Sequence, residues 1–192
     1  MKFEEQGSLT RNGQRVWRDF SAALQQLLTE QAFEKITVQT LCQRANYPRA
    51  TFYNYFYDKY DLLDGCWAQL MTYCGFDQVR ENVTQATLVA CFDQLYQLLA
   101  AQQPYLQQVL RHNSSALLPA QLQTYMVRTN QVLFKGTRLD TGQVPLPLAI
   151  AHCYASIFLV LKWIFLENHP TTLAQAHQYL AVLDAQYWQP SH

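Results

Sequence analysis

Residues 37–63, TVQTLCQRANYPRATFYNYFYDKYDLL, constrain the fold more tightly than any other part of the chain. Val38, Leu41 and Ala45 recur at offsets of three and four, which places them on one narrow face of a short helix. Thr37 suits the N-cap, where a hydroxyl accepts from an amide left unpaired in the first turn. Asn46 follows the last periodic residue, and asparagine tolerates the left-handed conformation that ends helices. Pro48 lacks an amide and pushes Tyr47 away from helical geometry, yet its fixed φ suits a first helical position. The reading is therefore a short helix, a turn over residues 45–47, and a second helix from about Pro48. On that second helix Ala50, Tyr53 and Phe56 are expected to face inward, with Arg49, Asn54 and Tyr55 on other faces. Asp58 is placed to cap the next helix.

Two short helices joined by a tight turn form a helix-turn-helix, whose second helix can enter the major groove of DNA. Arg49 and Lys59 can meet phosphates, as can the hydroxyls of Thr51, Tyr53 and Tyr55. Asn54 can pair with adenine through two hydrogen bonds, and arginine with guanine. An ordinary helical hairpin with a polar surface satisfies the same pattern, so periodicity by itself does not separate the two.

The run RATFYNYFYDKYDLL resembles the signature of the TetR/AcrR family of transcription regulators. In that family a small residue, Thr, an apolar residue, Tyr, a variable pair and Phe are followed shortly by Lys and an apolar helix. These fall here on Ala50, Thr51, Phe52, Tyr53, Asn54, Tyr55, Phe56 and Lys59. Upstream, FSAALQQLLTEQAFEKITVQTLCQRAN is similar to the family's first two helices. The resemblance covers roughly the first third of the chain. Ala32 and Asn46 stand where the family usually has glycine; asparagine accepts a positive φ, whereas alanine there would be strained if it had to adopt one. The resemblance implies an all-α protein of about nine helices. An N-terminal three-helix DNA-binding domain would occupy residues 10–71, and a C-terminal effector-binding and dimerisation domain residues 72–192. It implies a DNA-contacting set of Arg15, Thr37, Gln39, Tyr47, Arg49, Ala50, Thr51, Tyr53, Asn54, Tyr55 and Lys59.

Charge distribution agrees only weakly. The 192-residue chain is formally neutral, with eight Lys and Arg against six Asp and Glu in residues 1–60 and the reverse imbalance beyond. That predicts modest non-specific affinity for DNA, with more weight on specific contacts and dimer symmetry. Residues 1–10 read as a mobile polar arm. The first helix, from about Thr10, carries Val16, Phe20, Ala23, Leu24 and Leu27 on one face. Arg11, Arg15 and Arg18 gather near its N-terminus, against the helix dipole, a placement that a nearby phosphate backbone would offset. Phe33 and Ile36 close the small core, and the helix after Asp58 continues to about Tyr73.

Further helices are expected over residues 84–101, 104–111, 121–137, 147–167 and from Thr171 or Thr172 onward, with residues 112–120 a connector. The helix over 147–167 is apolar nearly all round and must be buried on most faces. Its densest run, IFLVLKWIFL, is interrupted by Lys162 and reads as too short to cross a bilayer. Two such wide apolar surfaces exceed what one small domain covers, and a two-fold dimer would bury the same patch on both copies. The resemblance implies the same: a four-helix bundle built from residues 147–167 and 171–187 of each copy. An effector would bind among the central helices and alter the spacing of the reading heads, which must sit about 34–36 Å apart. Its candidate lining is Trp67, Met71, Tyr96, Tyr105, Tyr125, Met126, Tyr154 and Phe158, although aromatics at helical spacing are more often simply core.

Five scattered cysteines without a CxxC pair, and an N-terminus without an apolar targeting core, point to reduced thiols in a cytoplasm. No histidine spacing suits a metal, no glycine-rich phosphate loop or catalytic triad stands out, and no cofactor is expected. The sequence therefore points to a non-enzymatic regulator: a homodimer on a palindromic double-stranded operator, most simply a repressor released by a small molecule. A regulator without a ligand, acting through a protein partner or as an activator, fits the same residues. So does a helical interaction protein that has lost DNA binding.

Overall fold

The computed structural model describes residues 10–76, 84–113, 117–130 and 143–183, with the side chains of Gln85, Asn130 and Cys153 excepted. Nine α-helices and no strand are found among these residues. They are α1 (Arg11–Leu28), α2 (Val38–Ala45), α3 (Arg49–Tyr55), α4 (Lys59–Tyr73), α5 (Gln85–Ala101), α6 (Gln103–His112), α7 (Leu117–Asn130), α8 (Leu146–Leu161) and α9 (Leu173–Leu183). A single 3₁₀ turn, Phe33–Lys35, separates α1 from α2. The chain divides into two compact units. The first, the head, comprises Met1–Leu70 with Gln107–Ser114; the second, the rear unit, comprises Met71–Leu106 with Ser115–His192. Residues 107–114 thus join the N-terminal helices rather than their sequence neighbours.

Helix boundaries follow local chemistry. Thr10 caps α1 by accepting from the Gly13 amide at 3.2 Å. Thr37 and Thr40 cap α2 reciprocally, each hydroxyl accepting from the other's amide. Thr84 and Thr87 repeat that arrangement on α5. Asp58 Oδ1 accepts from the Tyr60 and Asp61 amides at 2.8 and 2.9 Å. Such caps satisfy amides that a helix N-terminus otherwise leaves unpaired. Thr172 caps α9 in exchange with Gln175. Asn46 adopts φ 57° and ψ 46°, the left-handed ending that suits asparagine.

In the head, α1 buries the face the periodicity indicates: Val16, Phe20, Ala23, Leu24 and Leu27. α1 packs on α2, and α2 on α3. Phe20 sits at the centre of an aromatic cluster, edge-on to Phe52 at 5.2 Å and to Phe56 at 5.8 Å. All three rings are fully buried. Edge-to-face pairs add roughly 0.5–1.5 kcal/mol each beyond the area they bury.

In the rear unit α8 packs against α7 and α9. Its last turn widens into a π turn, Lys162–Leu166, where the Glu167 amide reaches the Lys162 carbonyl. With that turn the helix runs 21 residues at a mean hydropathy of 1.8, long and apolar enough to cross a membrane by length and composition. Of its most apolar window, 47% is buried inside the protein. α7 begins at Leu117, inside the expected connector, because Pro119 falls in the first turn, where a helix needs no amide from it. The rest of the expected helix over 121–137, beyond residue 130, lies outside the described residues. So do the expected arm over 1–9 and the end of the last helix beyond residue 183.

Candidate nucleic-acid interface

Which side of α3 faces outward follows from the aromatic cluster. The expectation that Ala50 and Tyr53 turn inward is corrected here. Phe52 is the residue buried on α3, with Phe56 buried just beyond it, while Ala50 is exposed and Tyr53 keeps 42% of its surface. Phe20 on α1 offers an apolar partner to a ring at position 52, whereas a tyrosine buried there would need an acceptor for its hydroxyl. The outward side consequently carries Arg49, Ala50, Tyr53 and Asn54, all exposed. These four form two i,i+4 pairs and so share one contiguous helix face. Arg49 lies 6.0 Å from the centre of the Tyr53 ring, and its guanidinium donates to the Tyr53 hydroxyl at 3.5 Å. Thr51 and Tyr55 flank this face, each half-buried.

Arg49 also borders an open cleft of about 420 Å³ lined by Gln39, Cys42, Gln43, Asn46, Tyr47 and Pro48. The cleft lies where α2, the turn and α3 meet. Gln43 and Asn46 were not among the expected DNA-contacting residues; their position beside Arg49 depends on the left-handed conformation of Asn46 that folds the turn back.

Several expected contacts hold the head together. The Tyr47 hydroxyl donates to Asp19 Oδ2 at 2.9 Å, and its ring packs 5.5 Å from that of Phe20. That hydrogen bond raises the Tyr47 pKa above its ordinary value, with burial adding to the shift. Asp19 also faces Arg15 at 3.8 Å, although the Arg15 side chain stays 70% exposed. The ammonium of Lys59 donates to the carbonyls of Phe33, Glu34 and Ile36 at 2.9, 3.0 and 2.8 Å. It also lies 4.8 Å from the centre of the Phe33 ring. Three carbonyls occupy its three N–H groups, so Lys59 fixes the turn before α2, and none is left for a phosphate. Burial lowers its pKa. Ala32, in the place of a glycine, has φ −62°, so no strain arises there.

Thr37 and Gln39 are exposed at the start of α2. Arg11, Arg15 and Arg18 are exposed along α1 at spacings of four and three, one basic edge. Arg44 bridges Glu30 with bonds of 2.8 and 2.6 Å, tying α2 to the end of α1.

Of the expected effector residues, Trp67 belongs to the head and the other seven to the rear unit. Met71, Tyr125, Met126 and Tyr154 are buried there, while Tyr96, Tyr105 and Phe158 are half-buried. Tyr96 donates its hydroxyl to the Thr171 carbonyl and meets Phe165 edge-on at 5.1 Å. Burial pushes the thiols of Cys66 and Cys74 up to about 11 and that of Cys91 up to about 12, so all three stay protonated at neutral pH. No cluster of metal-ligating side chains occurs among the described residues.

Comparison with known proteins agrees with this geometry. Residues 21–66 match the family model of bacterial regulatory proteins of the tetR family. Among solved structures, the fatty acid degradation regulator FadR from Bacillus halodurans is similar in fold, with a TM-score of 0.55 and 15% sequence identity. That alignment covers 88% of this chain and 94% of the other. No curated protein matches the chain.

Proposed function

We propose, from the match of residues 21–66 to the tetR family model, that the chain is a TetR-type DNA-binding transcription regulator, a cytoplasmic homodimeric repressor released from a palindromic operator by a small molecule. The observation that carries the DNA reading is the outward face of α3. Arg49, Ala50, Tyr53 and Asn54 stand together on a seven-residue helix whose inner side is anchored on Phe20. A bidentate side chain reading a base edge contributes roughly 1–3 kcal/mol of discrimination, and Arg49 and Asn54 are of the types that do so. Thr37, Gln39, Thr51, Tyr55 and Arg15 are assigned to the phosphates on either side. Tyr47 and Lys59 set the position of the reading helix from within the head.

Dimerisation is supported by the exposed apolar stripe on α8. Leu148, Leu159 and Trp163 are exposed, as are His152 and Ala155 between them, at spacings that keep all five on one face. Val182 and Leu183 add to the uncovered surface on α9. A two-fold pairing of this stripe removes it from water and presents two heads to successive major grooves. Effector binding is supported by the buried aromatic and methionine side chains of the rear unit.

The test is selection of duplexes from a random pool by the full-length protein. The expected product is an inverted repeat whose binding weakens steeply with salt. Arg49→Ala and Tyr53→Ala are each expected to reduce affinity for that duplex by about 10- to 100-fold, with the dimer unchanged. Enrichment of no duplex, or normal binding by both variants, sinks the reading. An effector is recognised by a rise in melting temperature together with release of the selected duplex. A compound that raises melting and leaves the duplex bound counts against release.

A further inference from the structure

The residues that match the family model end at 66, yet the head is closed by a side chain 80 residues beyond the turn it holds. Asn113 follows the end of α6 and is 3% exposed, one of two polar residues in the fully buried set. Its Oδ1 accepts from the Phe33 amide at 2.8 Å, and its Nδ2 donates to the carbonyls of Leu28 at 2.9 Å and Val109 at 3.0 Å. Leu28 ends α1 and Phe33 begins the 3₁₀ turn. Each therefore presents a backbone group that a helix terminus leaves without an internal partner. One primary amide satisfies both, since it is acceptor and donor in the same plane. The orientation of the amide is fixed by its partners, because an N–H can only donate and a carbonyl can only accept.

The same turn is held from its other side. Lys59 takes the carbonyls of Phe33, Glu34 and Ile36, and the Tyr60 ring meets Phe33 edge-on at 5.2 Å. Ile36 leads directly into Thr37, the N-cap of α2. The angle between α1 and the helix-turn-helix is therefore set across residues 28–37. Its two polar fasteners come from the residue after the reading helix's own loop and from a segment outside that helix's contiguous domain.

We infer that Asn113 is a positioning residue for DNA binding: its amide closes the turn between α1 and α2, and so fixes how α3 is presented. The DNA-binding head is thus a discontinuous unit, completed by residues 107–114. This rests on the DNA reading above for its consequence, but not for its geometry. Replacing the amide leaves two buried backbone groups unpaired. Packing is lost as well in Asn113→Ala, whereas Asn113→Leu keeps most of the buried volume and removes only the hydrogen bonds.

The test uses the full-length chain with both substitutions, and three measurements. Amide hydrogen exchange is expected to quicken by about tenfold or more at Phe33 and its neighbours, and less in the rest of the head. Affinity for the duplex selected by the unsubstituted protein is expected to fall by about tenfold in conditions where the head is still folded. The melting of the rear unit is expected to stay in place. A residue that served only overall stability would quicken every head amide by one common factor and leave the affinity of the folded fraction unchanged, which would overturn the inference. So would Phe33 exchange that is unaltered in both variants. If Asn113→Ala does not fold, Asn113→Leu carries the decision. If the unsubstituted protein selects no duplex, the DNA reading fails on its own, and exchange at Phe33 alone decides whether Asn113 closes the turn.

Discussion

The head and the rear unit differ in what they leave exposed. Among the described residues of the head, the exposed large hydrophobic side chains are Tyr53, Tyr57 and Tyr60, each with a hydroxyl. Its phenylalanines at 20, 33, 52 and 56 are sealed from solvent. In the rear unit the exposed set includes Leu148, Leu159, Trp163, Val182 and Leu183, with Leu159 57% and Val182 80% exposed. Scattered single exposures of this kind are ordinary, but a row along one helix face is not. The head thus offers a surface suited to a polar, charged partner, and the rear unit one suited to apolar contact. Inside, the head fixes its turns with matched polar groups, Asn113, Lys59, Asp19 and Asp58, while in the rear unit Phe92, Tyr96 and Phe165 pack ring to ring.

The largest expected effect tests the head's sealed cluster. Phe52→Ala removes the ring that turns α3 outward, and burial of this kind is worth roughly 3–5 kcal/mol. Thermal or urea unfolding followed at head and rear probes is expected to show the head transition moved far down and the rear transition nearly in place. A single shared transition that moves as one would erase the distinction between the units. Tyr53→Phe on the outward side of the same helix is the contrast, with stability within about 0.5 kcal/mol of the unsubstituted chain.

An intermediate effect tests the rear unit. Leu159→Glu puts a charge in the middle of the α8 stripe, and two-fold symmetry places it in the interface twice. Burial of one leucine is worth roughly 1.5–3 kcal/mol, so the dimer dissociation constant is expected to rise by about a hundredfold or more. Sedimentation across a dilution series measures it. An unchanged distribution of species would mean that the stripe is not where two copies meet. Leu180→Glu, at a fully buried position on α9, would instead unfold the unit and is no substitute for this test.

Much of the head was legible because its signals are local. The inward face of α1, the Thr37 cap, the Asn46 turn and the Asp58 cap each need only a few neighbouring residues. The facing of α3 was not legible. Aromatics at 52, 53, 55 and 56 leave a seven-residue helix without a clear period, and Phe20, more than 30 residues upstream, makes the choice. Lys59 read as a phosphate contact because nothing nearby in sequence shows three carbonyls converging on it. Asn113 lay in a polar connector and gave no signal, since its partners are 80 and 85 residues away. The start of α7 fell inside the expected connector over 112–120; Pro119 stands in its first turn, where proline has no needed amide to withhold.

The smallest expected effect probes a polar fastener of the head that faces water. Arg44 and Glu30 join α2 to the end of α1 through paired bonds of 2.8 and 2.6 Å. The hydrogen bond from Arg44 holds the Glu30 carboxyl below the value of 4.5 it has in isolation, burial opposing this and the Arg44 charge adding to it. A carboxyl depressed in the folded state binds its proton more readily in the unfolded chain. Its contribution is therefore fully present above about pH 4.5 and is lost as the pH falls through the lower, folded value. Because both side chains are solvent-facing, screening keeps the contribution small. The head transition is expected to shift down slightly on acidification, and Glu30→Gln to remove that part of the shift while changing little at neutral pH. Added salt should mimic the substitution at neutral pH, since a pair within reach of solvent ions is screened over about 8–10 Å at physiological ionic strength. An acid response in the head that is identical with and without Glu30 would show that this bridge does not contribute. The head's rigidity would then rest on its buried fasteners alone.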